Sequence, residues 1–325
     1  IAAFNERCKA SVWKYVDEWR RFTERSGYWV DLENAYVTYT PEYIEAVWGV
    51  LKHVHGRGLL YKDYKVVPWC PRCGTALSSP ELAQGYQEVK DLSVYVKFRI
   101  KPGQRNPGLT VGHETIPDNT FFLAWTTTPW TLPGNVGLAV GENIEYVIWT
   151  QKNEEGQTEN LIISGKGFNN LNVQAVTSMQ FTGKVIIGLE YEPLYPFLQH
   201  NLPKNQSEQL KNAYKVYPAD FVTTDEGTGI VHTAVMYGHD DFELGTKVGL
   251  PKHHLVDETG HFIKGTGFLE GRFVRDEETA VEIVKDLAQR GLLFKKEKYA
   301  HSYPHCWRCK TPLIYYARDS WYIRM

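Results

Sequence analysis

Apolar residues recur at two different periods along the chain, and the change of period divides it. Over residues 6–25, Val12, Tyr15, Val16, Trp19 and Phe22 fall at three- and four-residue spacings, which predicts an amphipathic helix ended by Gly27. A second helix is predicted from Thr40-Pro41, a cap followed by the residue whose missing N–H costs nothing at the first helical position. Its apolar face is Ile44, Val47, Trp48, Leu51 and Val54, and Gly56 and Gly58 stop it. From residue 93 the period becomes two: Val94, Val96, Phe98 and Ile100 alternate with polar neighbours, as one face of a strand requires. Short apolar runs follow at 120–125, 136–140, 145–150, 160–164, 184–189 and 229–235, separated by Gly-, Asn- and Pro-rich turns. Strands spaced this way predict a β-rich barrel or sandwich. One late helix is expected, with Asp276 as cap, Ala280, Val281, Ile283, Val284, Leu287 and Ala288 as its stripe, and Gly291 as its end. The fold class is therefore α+β: a helical lead-in and a β-rich, barrel-like globule.

Composition adds limits. With 325 residues, 42% of them hydrophobic, the chain can bury one large core or two smaller ones. A net charge of −2 gives no global basic field, so any RNA contact must come from local patches, such as the Lys and Arg residues at 295–298 and 308–310, or from parts of a larger protein. No segment has the roughly 18 uninterrupted apolar residues of a membrane helix, and no signal-peptide pattern opens the chain. A cytoplasmic location is expected. The chain starts at Ile1 within a helical pattern and stops abruptly in Asp319-Ser320-Trp321-Tyr322-Ile323-Arg324-Met325, which reads as a piece of a larger protein.

Four of the five cysteines form two Cys-x-x-Cys pairs, Cys70/Cys73 and Cys306/Cys309. Such a pair lets one short turn present two thiolates to one metal, and two pairs complete a tetrahedral S₄ shell, most simply around zinc. The pairs lie far apart in sequence, so a shared site would close a long insertion at its base. Two unrelated thiol turns or two disulfides are the alternatives, and a cytoplasmic chain disfavours disulfides. Four thiolates leave no open coordination position, so such a metal braces the fold and does no chemistry. Cys8, inside the first helical pattern, reads as a small buried apolar residue.

Two stretches carry candidate chemistry. Trp125-Thr126-Thr127-Thr128-Pro129-Trp130-Thr131-Leu132-Pro133-Gly134-Asn135 clusters hydroxyls after a strand, with prolines fixing the loop. Gly227-Thr228-Gly229-Ile230-Val231-His232-Thr233-Ala234 runs on to Gly238-His239-Asp240-Asp241-Phe242, placing a histidine at a strand end and an acidic pair nine residues later. On residue types alone, a satisfied turn for the first and a core histidine with a capped helix for the second are the favoured readings over a site.

The first stretch resembles the threonine-rich editing signature of isoleucyl-tRNA synthetases, and the second resembles the other editing signature of the class I synthetases for Ile, Val and Leu. The stem sequences around Pro68–Gly74 and Tyr303–Pro312 are similar to those flanking the editing insertion, cysteines included. The tryptophan pair around the threonines favours the isoleucine enzyme over its valine and leucine relatives. The resemblance implies a division into 1–65 (helical part of the catalytic domain), 66–92 (zinc stem), 93–298 (editing domain) and 299–325 (return through the stem). It implies Thr126, Thr127, Thr128 and Asp241 as catalytic, and Trp125, Asn135, His232 and Asp241 as substrate-binding. Cys70, Cys73, Cys306 and Cys309 would be the zinc ligands. The implied substrate is the acceptor end of tRNA(Ile) carrying valine, and the implied partner is the rest of the parent synthetase. After His232 the sequence departs from the family pattern, with Val235 where a proline is usual and Met236-Tyr237 beyond it.

The physical problem such a site solves is selectivity. One methylene is worth only ~1–3 kcal/mol, a magnitude taken from the isoleucine–valine discrimination itself, so a second, smaller site must remove the error by hydrolysis. An ionised Asp241 suits the α-ammonium, the threonine hydroxyls suit a water or a ribose, and His232 suits the steric exclusion of isoleucine. Neither ATP-binding signature of the synthetic reaction is present; His53-Val54-His55-Gly56 has the wrong order. Serine stands in no nucleophile elbow, which favours direct attack by water. The competing readings are a zinc-ribbon RNA-binding module without catalysis and the editing domain of a valyl or leucyl enzyme.

Overall fold

The computed structural model describes residues 1–109, 114–153, 155–171 and 177–325. The chain divides into two compact units, Ile1–Asp63 with Trp321–Met325, and Tyr64–Ser320.

In the first unit the single helix expected over 6–25 is two: α1 (Ala2–Trp13) and α2 (Val16–Arg25), broken at Lys14-Tyr15. Neither proline nor glycine marks the break, so periodicity ran across it. Helix α3 (Pro41–Gly56) begins where predicted, with Thr40 Oγ1 accepting from the Tyr43 N–H at 3.4 Å. None of the three helices buries a residue.

The second unit holds the core. Strand β1 (Leu60–Cys70) crosses into it, followed by β2 (Thr75–Ala76), α4 (Ser79–Ala83), β3 (Tyr86–Arg99) and β4 (Thr120–Thr126). Then come β5 (Gly137–Val140), β6 (Glu145–Lys152), β7 (Thr158–Ser164), α5 (Gly165–Asn170), β8 (Thr177–Thr182), α6 (Phe197–Asn201) and β9 (Lys215–Pro218). Strand β10 (Ile230–Thr233), α7 (His239–Val248), α8 (Glu277–Gln289), β11 (Leu293–Pro304) and β12 (Ile314–Ile323, of which the part up to Ser320 belongs to this unit) complete it.

Among the described residues the strands make no closed barrel, which corrects the barrel-like expectation. They form an open six-stranded sheet, β11-β3-β4-β7-β6-β8, and two three-stranded sheets, β10-β5-β9 and β12-β1-β2. The sheets are mixed, since β4 pairs β7 and β5 pairs β9 in parallel. The run at 184–189 is not a strand: Gly183–Val185 is a 3₁₀ turn and the edge strand β8 lies just before it. Strands β3 and β11 pair antiparallel from Tyr86↔Pro304 to Val96↔Leu293, with one register shift, and run uninterrupted through positions 92–93 and 298–299.

Strand β4, Thr-Phe-Phe-Leu-Ala-Trp-Thr, is covered on both faces, which is why it reads as a continuous apolar run and not as an alternation. Phe122 and Ala124 join the main core with Val94, Val96 and Phe98 of β3, while Phe121, Leu123 and Trp125 face α5 and Phe294. The β10-β5-β9 sheet supplies Ile230, Leu138, Val140 and Val216 to the same core. Helix α8 buries Ile283, Val284 and Leu287, as its stripe predicts; Asp276 stands at the cap position without a side-chain cap bond. Beside β4 a buried ion pair forms, Lys97 Nζ to Glu159 Oε2 at 2.7 Å, with side chains only 7% and 4% exposed. Gln151 donates to the other Glu159 oxygen at 2.7 Å, so the carboxylate is satisfied on both sides.

Candidate functional site

The threonine loop joins the six-stranded sheet to the β10-β5-β9 sheet. Strand β4 ends at Thr126, Pro129 starts a 3₁₀ turn over Pro129–Gly134, and β5 follows at Gly137. Strand β10 pairs β5 with His232 opposite Leu138. The turn therefore carries threonine hydroxyls up to the C-terminal end of β10.

The hydroxyls and the imidazole form a continuous chain. Thr126 Oγ1 accepts from the Thr128 N–H at 3.1 Å and lies 3.2 Å from Thr128 Oγ1. Thr128 Oγ1 lies 3.4 Å from Thr131 Oγ1, and Thr131 Oγ1 lies 2.9 Å from His232 Nε2. Thr131 was not singled out in the sequence. Its signal was there, three positions after Thr128 with Pro129 opening the turn, so that the two hydroxyls fall on one side. His232 is 7% exposed, and burial draws its imidazole down to about 4, which keeps it neutral at physiological pH.

Asp241 belongs to the first turn of α7, whose N-cap position is Gly238. Its Oδ2 accepts from the Ala234 N–H at 3.0 Å, so the carboxylate is tied to the backbone two residues beyond His232. Gly238 makes this approach possible, since a Cβ there would lie 2.7 Å from Asp241 Oδ2. Asp241 keeps some solvent-accessible surface yet is surrounded by protein mass, and that burial raises its carboxyl to about 6, with Asp240 adding to the rise and the Ala234 N–H opposing it.

The other candidates lie elsewhere. Thr127 lines a cleft of about 710 Å³ between α8 and the β3–β11 pair, together with Lys90, Arg275 and Lys298; Thr126, Thr128, His232 and Asp241 do not line it. Trp125 is on the opposite face of β4 from Thr126, packed at 5.2 Å against Tyr299. Gly227, at φ +69°, lies against that ring, where a Cβ would come within 2.9 Å. Asn135 is spent on the fold: its Nδ2 donates to Gly137 O at 2.9 Å and its Oδ1 accepts from Tyr191 at 2.7 Å. Val235, Met236 and Tyr237, where the sequence leaves the family pattern, turn into the core; Tyr237 Oη accepts from the Leu255 and Val256 N–H groups.

The two Cys-x-x-Cys turns do converge. The four Sγ atoms lie within 4.8 Å of one another, with Cys70 and Cys309 at 3.4 Å. A tetrahedral zinc with Zn–S bonds of ~2.3 Å sets its sulfurs about 3.8 Å apart, so the cluster can hold such an ion with little adjustment. The turns match in backbone too: the Gly74 N–H donates to Cys70 O and the Lys310 N–H to Cys306 O, each at 2.9 Å. Gly74 and Lys310 both take a left-handed conformation, φ +64° and +62°. Against the burial that would raise it, hydrogen bonds from Thr311 and the neighbouring cysteines pull the Cys309 thiol down to about 6. Cys8, expected to be buried, is exposed.

A family model for class I tRNA synthetases (I, L, M and V) matches residues 1–325. An isoleucine–tRNA ligase of Bacillus thuringiensis (strain Al Hakam) is 45% identical over 324 residues, covering 100% of this chain and 28% of that protein. The isoleucine–tRNA ligase of Thermus thermophilus is likewise 45% identical over 324 residues, with the same coverage. The chain thus spans 28% of the length of the relatives it matches. The solved editing domain of the P. knowlesi cytosolic leucyl-tRNA synthetase gives a TM-score of 0.41 at 12% identity, over 65% of this chain and 98% of that one. That likeness is too weak to bear on fold or function. The match over the whole length settles the family: the chain belongs to the class I tRNA synthetases of the isoleucine, leucine, methionine and valine group.

Proposed function

We propose that this chain is the editing part of an isoleucyl-tRNA synthetase and that it hydrolyses valine wrongly esterified to tRNA(Ile). The observation that carries the reading is the chain of hydroxyls from Thr126 through Thr128 and Thr131 to His232, beside a carboxylate anchored two residues further on. The names of its 45%-identical relatives, isoleucine–tRNA ligases, favour isoleucine over the other amino acids of the group.

An aminoacyl ester presents an α-ammonium, a short branched side chain, a carbonyl carbon and a ribose. Asp241 holds the ammonium. Its Oδ2 is occupied by the Ala234 N–H, which leaves Oδ1 for the ligand, and near neutral pH the carboxyl is mostly ionised despite its rise to about 6. Thr126 and Thr128 align the attacking water against the ester carbonyl. His232 stays neutral and limits the room for the side chain. The ester is already activated, so positioning and hydrogen bonding suffice without a covalent nucleophile.

The four-thiolate cluster is assigned to zinc. With every coordination position filled by Cys70, Cys73, Cys306 and Cys309, the ion supplies rigidity at the base and no reactive site.

The test is deacylation of valyl-, threonyl- and isoleucyl-tRNA(Ile) by the chain and by Asp241→Ala. Valyl ester is cleaved and isoleucyl ester spared. The variant loses a charged hydrogen-bond partner worth ~1.5–3 kcal/mol, so its rate falls roughly ten- to a hundredfold. Cleavage of threonyl with sparing of valyl ester moves the assignment to a valyl-type enzyme, and an unchanged rate in Asp241→Ala ends the deacylase reading.

A further inference from the structure

The cleft beside the threonine loop has two unlike walls. One is apolar, made by α8 and the 3₁₀ turn, with Val284 and Trp130 among its residues. The other is the β3–β11 pair, which carries Lys90, Lys296 and Lys298. The register sets Lys296 opposite Val94, Lys298 opposite Leu92 and Lys90 opposite Ala300. Paired residues share a face, as do alternate residues along a strand, so the three lysines stand on one side of the ribbon, neighbours ~7–8 Å apart. All three are exposed. Among the described residues none of their ammonium groups makes an ion pair or a hydrogen bond.

The acids of the cleft do not cancel them. Asp91 is paired with Arg275 at 3.0 Å and touched by His301 at 3.2 Å, and Glu297 is taken by Lys295 at 2.7 Å and the Tyr95 hydroxyl at 3.2 Å. Asp276 and Glu277 sit at the start of α8, where the helix's own N–H groups favour negative charge. Three cations on one face repel by ~0.6 kcal/mol per pair even in bulk water, a cost that a bound anion reverses. Thr127 lines the same cleft, and its hydroxyl, unlike those of Thr126, Thr128 and Thr131, has no hydrogen-bond partner among the described residues. Consecutive Cα atoms are ~3.8 Å apart, so Thr127 borders the ester site on both sides. A volume of about 710 Å³ is ample for a nucleotide.

We propose that this cleft is a subsite for the RNA nucleotide that precedes the esterified one. The two phosphates flanking that nucleotide lie among Lys90, Lys296 and Lys298, with the Thr127 hydroxyl donating to one of them, and its base rests on the apolar wall of Trp130 and Val284. The identity of the substrate rests on the deacylase reading; the affinity of the cleft for RNA does not. A free nucleoside monophosphate offers the same chemistry, and the direct continuity of Thr127 with Thr126 and Thr128 favours the strand that ends in the ester. No bond is made or broken in the cleft. It aligns the strand so that the terminal ester arrives at the hydroxyls next door. Ammonium groups on phosphates read no base, so the subsite tolerates any sequence.

Binding and kinetics test it separately. Fluorescence anisotropy with an unesterified single-stranded RNA of the tRNA acceptor-end sequence needs no chemistry. Lys90→Gln, Lys296→Gln and Lys298→Gln together weaken binding about tenfold at low salt and flatten the slope of log affinity against log salt by about 1.4, or about 0.7 for each of two phosphates. Lys184→Gln, Lys204→Gln and Lys264→Gln together remove the same charge elsewhere and leave affinity within about twofold. Equal losses in the two triple variants overturn the proposal, and adenosine monophosphate competing as well as the RNA overturns the assignment to a strand. Relief of repulsion keeps the denaturant midpoint of the cleft variant at or above that of the wild type; a lower midpoint makes the lysines structural and overturns their role. In deacylation of valyl-tRNA the cleft variant raises KM about tenfold with kcat within about twofold, and on valyl-adenosine, which has no preceding nucleotide, it matches the wild type. The same loss on both substrates overturns the subsite. A wild type that deacylates nothing yet binds RNA through these lysines would instead strike the functional reading and leave the cleft standing.

Discussion

The two units of this chain both carry periodic apolar residues, and these meet opposite fates. In α1–α3 the periodic residues stand in the open: Trp19 is 67% exposed, Phe22 63% and Trp48 66%. In the unit from Tyr64 to Ser320, residues of the same kinds are sealed, Trp149 at 2% and Phe98 and Phe122 at 0%. A period of 3.6 says that one face of a helix wants apolar contact, and it does not say what provides it. The strands found their partners inside this chain; the helices did not. Exposed aromatic faces of this size are the usual sign of an interaction surface, and the rest of a parent synthetase is the partner we propose.

That contrast can be broken or sharpened by experiment, beginning at the base of the buried unit. Cys306→Ser removes one of four thiolates, and metal analysis should fall from close to one zinc per chain to none. Structural zinc sites return ~10–16 kcal/mol of apparent binding energy in small peptides, an upper limit here, so the knuckles should become protease-sensitive while α8 stays folded. A wild-type chain that is fully folded and metal-free would overturn the zinc assignment.

Next in size is the packed sheet. Trp149→Ala deletes a fully enclosed indole wedged against Phe168 and Phe294, at 5.5 and 5.4 Å between ring centres, and should cost ~3–5 kcal/mol by denaturant unfolding. Removing Glu159 strands Lys97 as an unpaired buried charge and should cost a similar ~3–5 kcal/mol.

The candidate site should behave in the opposite sense. The folded carboxyl of Asp241 titrates at about 6 against an ordinary 3.8, so the fold binds this proton more tightly than the unfolded chain does. Stability from this group is therefore complete below about pH 4 and is lost as pH rises through about 6. At 1.36 kcal/mol per unit the rise of roughly two units gives at most ~3 kcal/mol, and partial exposure trims this to about 2 kcal/mol. Asp241→Asn should accordingly be more stable than wild type by about 2 kcal/mol at pH 7 to 8 and equal to it near pH 4, while losing deacylation. In the wild type, activity should climb as the carboxylate ionises through about 6. A wild-type rate that is flat across that window would show that Asp241 does not bind in its charged form. The smallest effect belongs to the open helices: Trp19→Ala should change the stability of this chain by less than about 0.5 kcal/mol. A large loss there would mean that the face is covered after all.

Much of the local geometry of the candidate site was readable before any coordinates. Asp241 is anchored two residues beyond His232 because a strand end, a tight turn over Val235–Tyr237 and a helix start follow one another in sequence, and such local geometry is written in residue types. The threonine cluster was legible for the same reason. Its internal division was not. Alternation past the end of β4 and the 3₁₀ turn at Pro129 send Thr127 to one cleft and join Thr128 to Thr131, and only the packing of β4 against β10 brings that turn to the imidazole. Asn135 looked like a loop ligand because polar loop residues usually are; its amide is consumed by Tyr191, more than fifty positions away in sequence. The barrel was misjudged because strand spacing reports how many strands there are and not how they pair; the six-stranded sheet ends on β11 and β8, which do not pair with each other.

What the sequence determined alone is local chemistry: caps, strand faces, two thiolate turns, a hydroxyl cluster, and an acid placed at a helix start. Each depends on neighbours within a few positions, where chain geometry leaves little choice. What the tertiary structure decided is which of these groups meet and which burial shifts their protonation. Those outcomes depend on contacts across a hundred or more residues, from Thr131 to His232 and from Cys70 to Cys309, and no local pattern encodes them.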